Sequence, residues 1–288
     1  MTTTRPVYLL VKCIIGAIIV TILIAGAGLR VPYSASTASG QAAAPSPAKV
    51  QDWEPTIRKF EESDRTNPPK PGSIIFAGSS SIVRWTTLAE DMQPLDVVNR
   101  GFGGSQFSDL VQYTKRIVNV YHPRAVVVYE GDNDLAPGSP KTPEMVATDF
   151  KQFVQIVRSD LPDTWIYIVS IKPSTLRWSM WPQVKVANEM MKDYSKTQRR
   201  VQYIDVATSM FAADGTLPRD LFVADGLHPT PKLYAMWTAI IKPILLERFG
   251  PASKMSGKNM AAPAELLSAG IALPDSHWRN NGGMALAP

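Results

Sequence analysis

Cysteine and histidine are scarce in this sequence. Its 288 residues include a single cysteine, Cys13, and three histidines. One cysteine excludes an intrachain disulfide and a zinc site built from several cysteines. Because Cys13 falls within an apolar segment, we do not expect it to act as a nucleophile. No other cluster of metal-binding residue types is apparent, so the sequence predicts neither a metal site nor a cofactor.

A strong charge bias is also missing. The chain has 30 Lys and Arg against 25 Asp and Glu, and the positive residues are scattered. Nucleic-acid-binding proteins need a basic stripe or face, so we predict no nucleic-acid partner. The two ends differ in composition from the middle, and we therefore expect one domain of about 180 residues, enough to bury a sizeable core.

Residues 1–30 have the composition of a membrane anchor or a signal peptide. Arg5 and Lys12 precede the apolar run Cys13–Leu29, whose length is near the short limit for a transmembrane helix. The run could equally be a signal-peptide core, with Ala25–Ala27 at the cleavage site. Both interpretations export the rest of the chain. We favour the uncleaved single-pass anchor, with a membrane-tethered domain in the cell envelope; cleavage would give a secreted or periplasmic protein.

The rest of the chain divides into three parts by composition. Residues 31–50 are rich in Ser, Ala and Pro, which is typical of a flexible linker. Residues 51–250 carry the patterns of a folded domain. Residues 251–288 contain many Ala, Gly, Pro and Met without a sustained period, which predicts a disordered tail.

Within the predicted domain, short apolar runs alternate with helical patterns. The apolar runs suit strands that are buried on both faces of a parallel sheet; they are Ser73–Ala77, Asp96–Asn99, Ala125–Glu130, Trp165–Ile171 and Val201–Val206. Helices are predicted at Trp53–Asn67, Phe107–Tyr121, Thr142–Leu161, Asn188–Arg199 and Pro231–Arg248. This alternation predicts an α/β fold with a doubly wound sheet.

Polar clusters occur at the ends of the predicted strands. Gly78–Ser81 follows the first strand, Asn99–Ser105 the second and Gly131–Asp134 the third, while Asp225–His228 lies near the end of the domain. In parallel α/β sheets, ligands bind at the carboxyl ends of the strands, so the four clusters could converge. Each alone could be a helix cap or a turn. Their coincidence at the same sheet edge favours a functional site.

The four clusters carry complementary chemistry. Asp225 could orient the ring of His228 and so make it a general base. A serine of the run Ser79–Ser81 would then be the nucleophile. A backbone N–H at a glycine and the amide of an asparagine could stabilise the oxyanion that forms when an ester is attacked.

The same four blocks resemble those of the SGNH hydrolases, also called GDSL-like esterases and lipases. FAGSSSIVRW is similar to the nucleophile block and VVNRGFGGS to the block with the oxyanion glycine. YEGDNDL is similar to the block with the oxyanion asparagine, and ADGLHPT to the block with the acid and the base. The resemblance spans about Ser73–Arg248. It implies a flavodoxin-like three-layer α/β/α sandwich with a mainly parallel five-stranded sheet.

This resemblance implies a role for each matching residue. The nucleophile would be Ser80, and Asp225 and His228 would complete the triad. The family's usual aspartate before the nucleophile is Ser79 here, which leaves Ser79 and Ser81 as alternatives to Ser80; block spacing favours Ser80.

The oxyanion hole implied by the family consists of the N–H groups of Ser80 and Gly104 and the amide of Asn133. The function expected is an exported serine esterase that hydrolyses acyl or acetyl esters through an acyl-enzyme. Its substrate would be a small-molecule, glycan or lipid ester. An acyltransferase with the same triad, a non-catalytic binding module, and a phosphate or FMN binder on a similar fold remain alternatives, and the oligomeric state is open.

The loop SIKPSTLRW is similar to bacterial members related to platelet-activating-factor acetylhydrolase. Five aromatic residues fall on or near the loops at the predicted active edge; they are Trp85, Phe102, Phe107, Trp178 and Trp181. They could hold an acyl chain, stack on a sugar, or only pack in the core.

Overall fold

The structure is a computed structural model, and it describes residues 52–251. The predicted anchor or signal peptide (1–30), the linker (31–50) and the tail beyond residue 251 lie outside the described residues. Between residues 52 and 251, no helix combines the length and the apolar character that crossing a bilayer requires.

A five-stranded parallel sheet lies at the centre of the domain. Its strands are β1 (Ile74–Gly78), β2 (Val97–Gly101), β3 (Ala125–Tyr129), β4 (Trp165–Val169) and β5 (Val201–Ile204). Their spatial order is β2-β1-β3-β4-β5, the flavodoxin-like order of a doubly wound sheet. All pairings are parallel, so the carboxyl ends of the strands share one edge. The predicted fold is confirmed.

Seven α-helices surround the sheet in the described chain. They are α1 (Glu54–Thr66), α2 (Ser80–Val83), α3 (Leu88–Asp91), α4 (Phe107–Ile117), α5 (Pro143–Asp160), α6 (Trp181–Thr197) and α7 (Pro231–Phe249). Short 3-10 helices lie at Asn119–Tyr121, Trp178–Met180, Thr208–Met210 and Arg219–Leu221.

The predicted start of α6 at Asn188 was wrong. The helix begins at Trp181, with Pro182 in its first turn, where the missing N–H of proline breaks no hydrogen bond. Val184 and Ala187 extend the buried stripe of this helix toward its N-terminus. The predicted helix at 107–121 ends at Ile117 and continues as a separate 3-10 turn.

Two apolar cores lie on opposite faces of the sheet. Because side chains alternate along a strand, Ile75 and Ala77 of β1 face one core, while Ile74 and Phe76 face the other. The first core includes side chains of α1, α4, α5 and α6, and the second includes side chains of α2, α3 and α7. Burial on both faces explains why the strands are continuous apolar runs.

Candidate active site

The serine run lies where β1 passes into α2. Gly78 ends the strand at φ +145°, and a Cβ there would lie 2.0 Å from the carbonyl oxygen of Tyr129. The chain can therefore make this close approach only with glycine. Ser79 and Ser81 are each 1% exposed, whereas Ser80 is half-buried and lines a cleft. Of the three serines proposed as nucleophile, Ser80 is the one that a ligand in this cleft can reach.

The turn before α7 joins a carboxylate to an imidazole. Oδ1 of Asp225 accepts hydrogen bonds from the backbone N–H groups of Leu227 and His228, both at 2.9 Å. Its Oδ2 lies 2.5 Å from Nδ1 of His228. Partial burial acts to raise the pKa of Asp225, but hydrogen bonds from the ring and from the two N–H groups outweigh it and lower the pKa. The carboxylate is therefore ionised and fixes the orientation of the ring.

The other ring nitrogen of His228 meets the serine. Nε2 lies 2.9 Å from Oγ of Ser80, although the two residues are 148 positions apart in the chain. Ser80, His228 and Asp225 thus form an unbroken hydrogen-bonded chain. In such an arrangement, the imidazole can accept the hydroxyl proton while the carboxylate stabilises the imidazolium that results.

Hydrogen-bond donors of three residues lie at the same cleft. Ser80, Gly104 and Asn133 all line it. The backbone N–H groups of Ser80 and Gly104 have no acceptor in the part of the chain that the structure describes. Nδ2 of Asn133 donates to the carbonyl oxygen of Ser105 at 2.9 Å, and an amide nitrogen carries a second hydrogen. These donors can stabilise an oxyanion next to Ser80.

The whole cleft has a volume of about 470 Å³. It is lined by Ser80, Val83, Arg84, Gly103, Gly104, Asn133, Arg177, Leu227 and His228. The structure brings together the five residues that the sequence places in one site: Ser80, Gly104, Asn133 and His228 line the cleft, and Asp225 is hydrogen-bonded to His228. Across residues 52–251, no group of three or more His, Cys, Asp and Glu side chains could hold a metal ion.

Arg177 is a cleft residue that sequence reasoning missed. Its Nη1 donates to the backbone oxygen of Asp132 at 2.7 Å and to Oδ1 of the same residue at 2.5 Å. Its Nη2 donates to Oδ1 of Asn133 at 3.0 Å. The amide of Asn133 therefore has its oxygen turned toward Arg177 and its nitrogen toward Ser105. The only indication in the sequence was that Arg177 lies in the loop SIKPSTLRW, which resembles bacterial members of the family. No sequence pattern connects this loop with Asn133.

Asp132 is held by a second cation. The side chain of Lys172 is fully buried, and its Nζ lies 2.6 Å from Oδ2 of Asp132. Tyr129 donates its hydroxyl to the same oxygen at 3.1 Å. Burial acts to raise the pKa of Asp132, but Lys172 and Arg177 outweigh it and hold the pKa below its ordinary value. The ionised carboxylate therefore holds both cations, the cleft-lining Arg177 and the buried Lys172.

Two further contacts join the loops after β2 and β3. Ser105 donates its hydroxyl to Oε1 of the fully buried Glu130. The backbone N–H of Phe107 donates to both carboxylate oxygens of Asp134, at 3.1 and 3.0 Å. Together with the Asn133–Ser105 bond, these contacts fix the position of the loop that carries Asn133 relative to the loop that carries Gly104.

A family model matches residues 69–236 of the chain, which include the whole serine run and the Asp225–His228 turn. The model describes the GDSL-like lipase/acylhydrolase family. The chain belongs to this family. The protein is thus a GDSL-type serine hydrolase that acts on ester bonds, as the resemblance of the four sequence blocks implied.

Solved structures with a similar fold include a Streptococcus pneumonia protein named for platelet activating factor. It is 20% identical with a TM-score of 0.59, and the match covers 67% of this chain and 92% of that one. A GDSL-like lipase from Bacteroides thetaiotaomicron is 15% identical, with a TM-score of 0.58 and coverage of 66% and 97%. A carbohydrate esterase of family 3 from Talaromyces cellulolyticus is 18% identical, with a TM-score of 0.51 and coverage of 61% and 96%. At these identities the likeness shows the fold alone. Comparison with curated proteins gives no match.

The aromatic residues near the edge of this GDSL-type domain differ in their surroundings. Trp85, Phe102 and Phe107 are at most 1% exposed and pack in the two cores. Trp178 is 48% exposed, and its ring lies 6.3 Å from that of Phe211. The first three therefore cannot hold an acyl chain or a sugar in the cleft.

Proposed function

We propose that the protein hydrolyses acyl or acetyl esters through an acyl-enzyme formed on Ser80, with His228 as the base and Asp225 as its orienting carboxylate. The observation that carries this proposal is the unbroken hydrogen-bonded chain from Ser80 through His228 to Asp225. Membership of the GDSL-like family supports it, because its members are lipases and acylhydrolases.

The first half of the reaction forms the acyl-enzyme. His228 takes the proton from Oγ of Ser80 as the oxygen attacks the ester carbonyl. The negative charge that develops on the carbonyl oxygen is stabilised by the N–H groups of Ser80 and Gly104 and by the amide of Asn133. His228 then passes its proton to the leaving alcohol, and the carbon–oxygen bond of the ester breaks.

The second half releases the acid. A water molecule gives its proton to His228 and attacks the acyl-enzyme, and the same three donors stabilise the second tetrahedral oxyanion. Ser80 leaves with the proton returned from His228. An alcohol in place of water would give acyl transfer from the same intermediate.

The acyl-enzyme is the species that tests this proposal. Full-length protein is mixed with 4-nitrophenyl acetate and quenched in acid, and intact-mass and peptide spectra are recorded. We expect one added acetyl group on the peptide that contains Ser80, and none in Ser80→Ala. Steady turnover without a trapped acetyl group in any quench, together with activity in Ser80→Ala, would contradict the mechanism.

The substrate class can be determined by measuring the hydrolysis of a panel of esters by the same protein. Structural neighbours include a carbohydrate esterase and a protein named for platelet activating factor, which suggests acetyl esters of glycans and of lipids as the first members to test. Adding glycerol or a sugar as acceptor separates hydrolysis from acyl transfer, because transfer yields a new ester at the expense of free acid.

We also propose that the domain acts outside the cytoplasm, tethered by residues 1–30. The proposal is supported by Arg5 and Lys12, which precede the apolar run Cys13–Leu29, since positive residues favour the cytoplasmic side. A cleaved signal peptide would give the same location without the tether.

A further inference from the structure

The cleft beside Ser80 carries more positive than negative charge. Two arginines, Arg84 and Arg177, line it, and no carboxylate is among its lining residues. Asp225 lines a neighbouring depression with Ala224 and Arg219. A substrate bound next to Ser80 therefore meets two guanidinium groups directly and no acidic side chain.

Arg84 has no charge partner. It follows α2 directly, its side chain is exposed, and it takes part in no salt bridge or side-chain hydrogen bond among residues 52–251. All five N–H donors of its guanidinium are available to a ligand. Arg84 and Ser80 line the same cleft, so an anionic group of an ester bound at Ser80 can reach Arg84.

The second arginine is only partly neutralised. Asp132 provides one negative charge to the two cations Lys172 and Arg177. The guanidinium of Arg177 uses Nη1 and one hydrogen of Nη2 in its bonds to Asp132 and Asn133. Its Nε has no acceptor in the described chain. Lys172, Arg177 and Arg84 are three cations against two ionised carboxylates, Asp132 and the Asp225 that is hydrogen-bonded to His228, so an excess of one positive charge remains around the cleft.

Unbalanced charge of one sign in a cleft with low-dielectric walls attracts a ligand of the opposite sign. We infer that the cleft selects esters that carry an anionic group, a phosphate or a carboxylate, close to the ester bond, and that Arg84 is the residue that recognises this group. This inference rests on the proposed esterase function and adds the substrate class. Arg177 contributes to the field, but its main contacts are with the protein.

A set of three acetate esters tests the inference with the acyl group held constant. They are 2-methoxyethyl acetate, O-acetylglycolate and 2-acetoxyethyl phosphate, which end in a neutral ether, a carboxylate and a phosphate. Release of acetate gives kcat/KM for each ester with the full-length protein. Each ester is also tested for how well it slows fluorophosphonate labelling of Ser80, which reports binding even where turnover is slow.

The wild type is expected to prefer one or both anionic esters over the neutral ester by about three- to tenfold, as suits a partly exposed charge contact. Arg84→Gln should lower the ratio of kcat/KM for the anionic over the neutral ester toward one. Arg84→Lys should keep part of the preference, because lysine retains the positive charge but lacks the planar guanidinium group. Added salt should reduce the preference in the wild type. The control is Arg65→Gln, an exposed arginine on α1 away from the cleft, which should leave all values unchanged.

The two anionic esters distinguish a phosphate-bearing substrate from a carboxylate-bearing one. Preference for the phosphate ester alone identifies a phosphate-bearing substrate, and preference for O-acetylglycolate alone identifies a carboxylate-bearing one. Equal kcat/KM and equal protection for all three esters, or a preference that survives in Arg84→Gln, would overturn the inference while the esterase function stands. Failure of the fluorophosphonate to label Ser80 at all would instead contradict the proposed function itself.

Discussion

Nη2 of Arg177 donates to Oδ1 of Asn133 at 3.0 Å, and this contact helps to set which way the amide points. With its oxygen engaged by Arg177, the amide presents its nitrogen to the carbonyl of Ser105 and to the cleft. A free asparagine could turn its oxygen toward the developing oxyanion and repel it. Arg177 is thus a positioning residue, and the geometry of the cleft depends on a side chain that touches no reacting atom in the proposed mechanism.

Replacement of Arg177 by lysine should lower turnover without loss of binding. Lysine keeps a cation near Asp132, but it has no planar guanidinium group that could donate to Asp132 and Asn133 at the same time. We expect kcat for 4-nitrophenyl acetate to fall by about 10- to 100-fold, with KM nearly unchanged, because a misplaced donor mainly raises the barrier.

A double-mutant cycle isolates this role of Arg177. In the Asn133→Ala background there is no amide to orient, so Arg177→Lys should have much less effect on kcat than in the wild type. Fully multiplicative losses in the double variant would show that Arg177 acts independently of Asn133.

Asn133 itself should stabilise the transition state and not the bound substrate. Asn133→Ala is expected to lower kcat by about 100- to 1000-fold and to leave KM nearly unchanged. Asn133→Asp should be at least as damaging, because a carboxylate repels the oxyanion. Circular dichroism checks that the fold is intact. A lower melting temperature with normal kcat would mean that Asn133 only closes its turn.

Much of this site could be predicted from the sequence because parallel strands end at one edge. The serine run, Gly104, Asn133 and the Asp225–His228 turn each come after a strand or at the start of the last helix. A parallel α/β sheet brings such positions together whatever the details of the loops. The five strands could also be predicted from the sequence, because a strand that is buried on both faces is a continuous apolar run, as in Ala125–Tyr129.

The remainder depends on loop geometry that no local pattern encodes. The contact of Arg177 with Asn133 crosses 44 positions and requires the loop after β4 to fold over the loop after β3. The helices α2 and α3 have four residues each, too few for a periodic apolar pattern. Glu130 falls within the apolar run that predicted the third strand, but no local pattern indicates that its buried carboxyl group accepts a hydrogen bond from Ser105 of another loop.

Glu130 should make stability depend on pH in an unusual direction. Burial raises its pKa well above the ordinary value of 4.5, and the nearby Asp134 raises it further. Between pH 4.5 and its raised pKa the folded state keeps a proton that the unfolded state loses. Stability therefore falls as pH rises, by up to about 1.4 kcal/mol per pH unit.

The variant Glu130→Gln cannot ionise and should not show this loss. Urea unfolding at several pH values from 5 to 8 should give a stability difference, variant minus wild type, that grows with pH. The exposed Glu62→Gln serves as the control and should give a constant difference. A constant difference for Glu130→Gln as well would show that the carboxyl group does not hold its proton in the folded state.

Export can be tested with reporters fused after Gly250. One reporter is active only outside the cytoplasm and the other only inside. With Arg5 and Lys12 on the cytoplasmic side, the first fusion should be active and the second silent. The opposite pattern would refute an exported domain, and the size of the membrane-bound product shows whether residues 1–30 are retained.

The central claim is that Ser80 is the nucleophile, and covalent labelling tests it most directly. A fluorophosphonate probe reacts with a serine whose hydroxyl is activated by a base, and the neighbouring Ser79 and Ser81 are each only 1% exposed. The wild type, Ser79→Ala and Ser81→Ala are expected to be labelled, and Ser80→Ala and His228→Ala are not. Labelling that persists in Ser80→Ala, with the modified peptide carrying the probe at Ser79 or Ser81, would contradict the account.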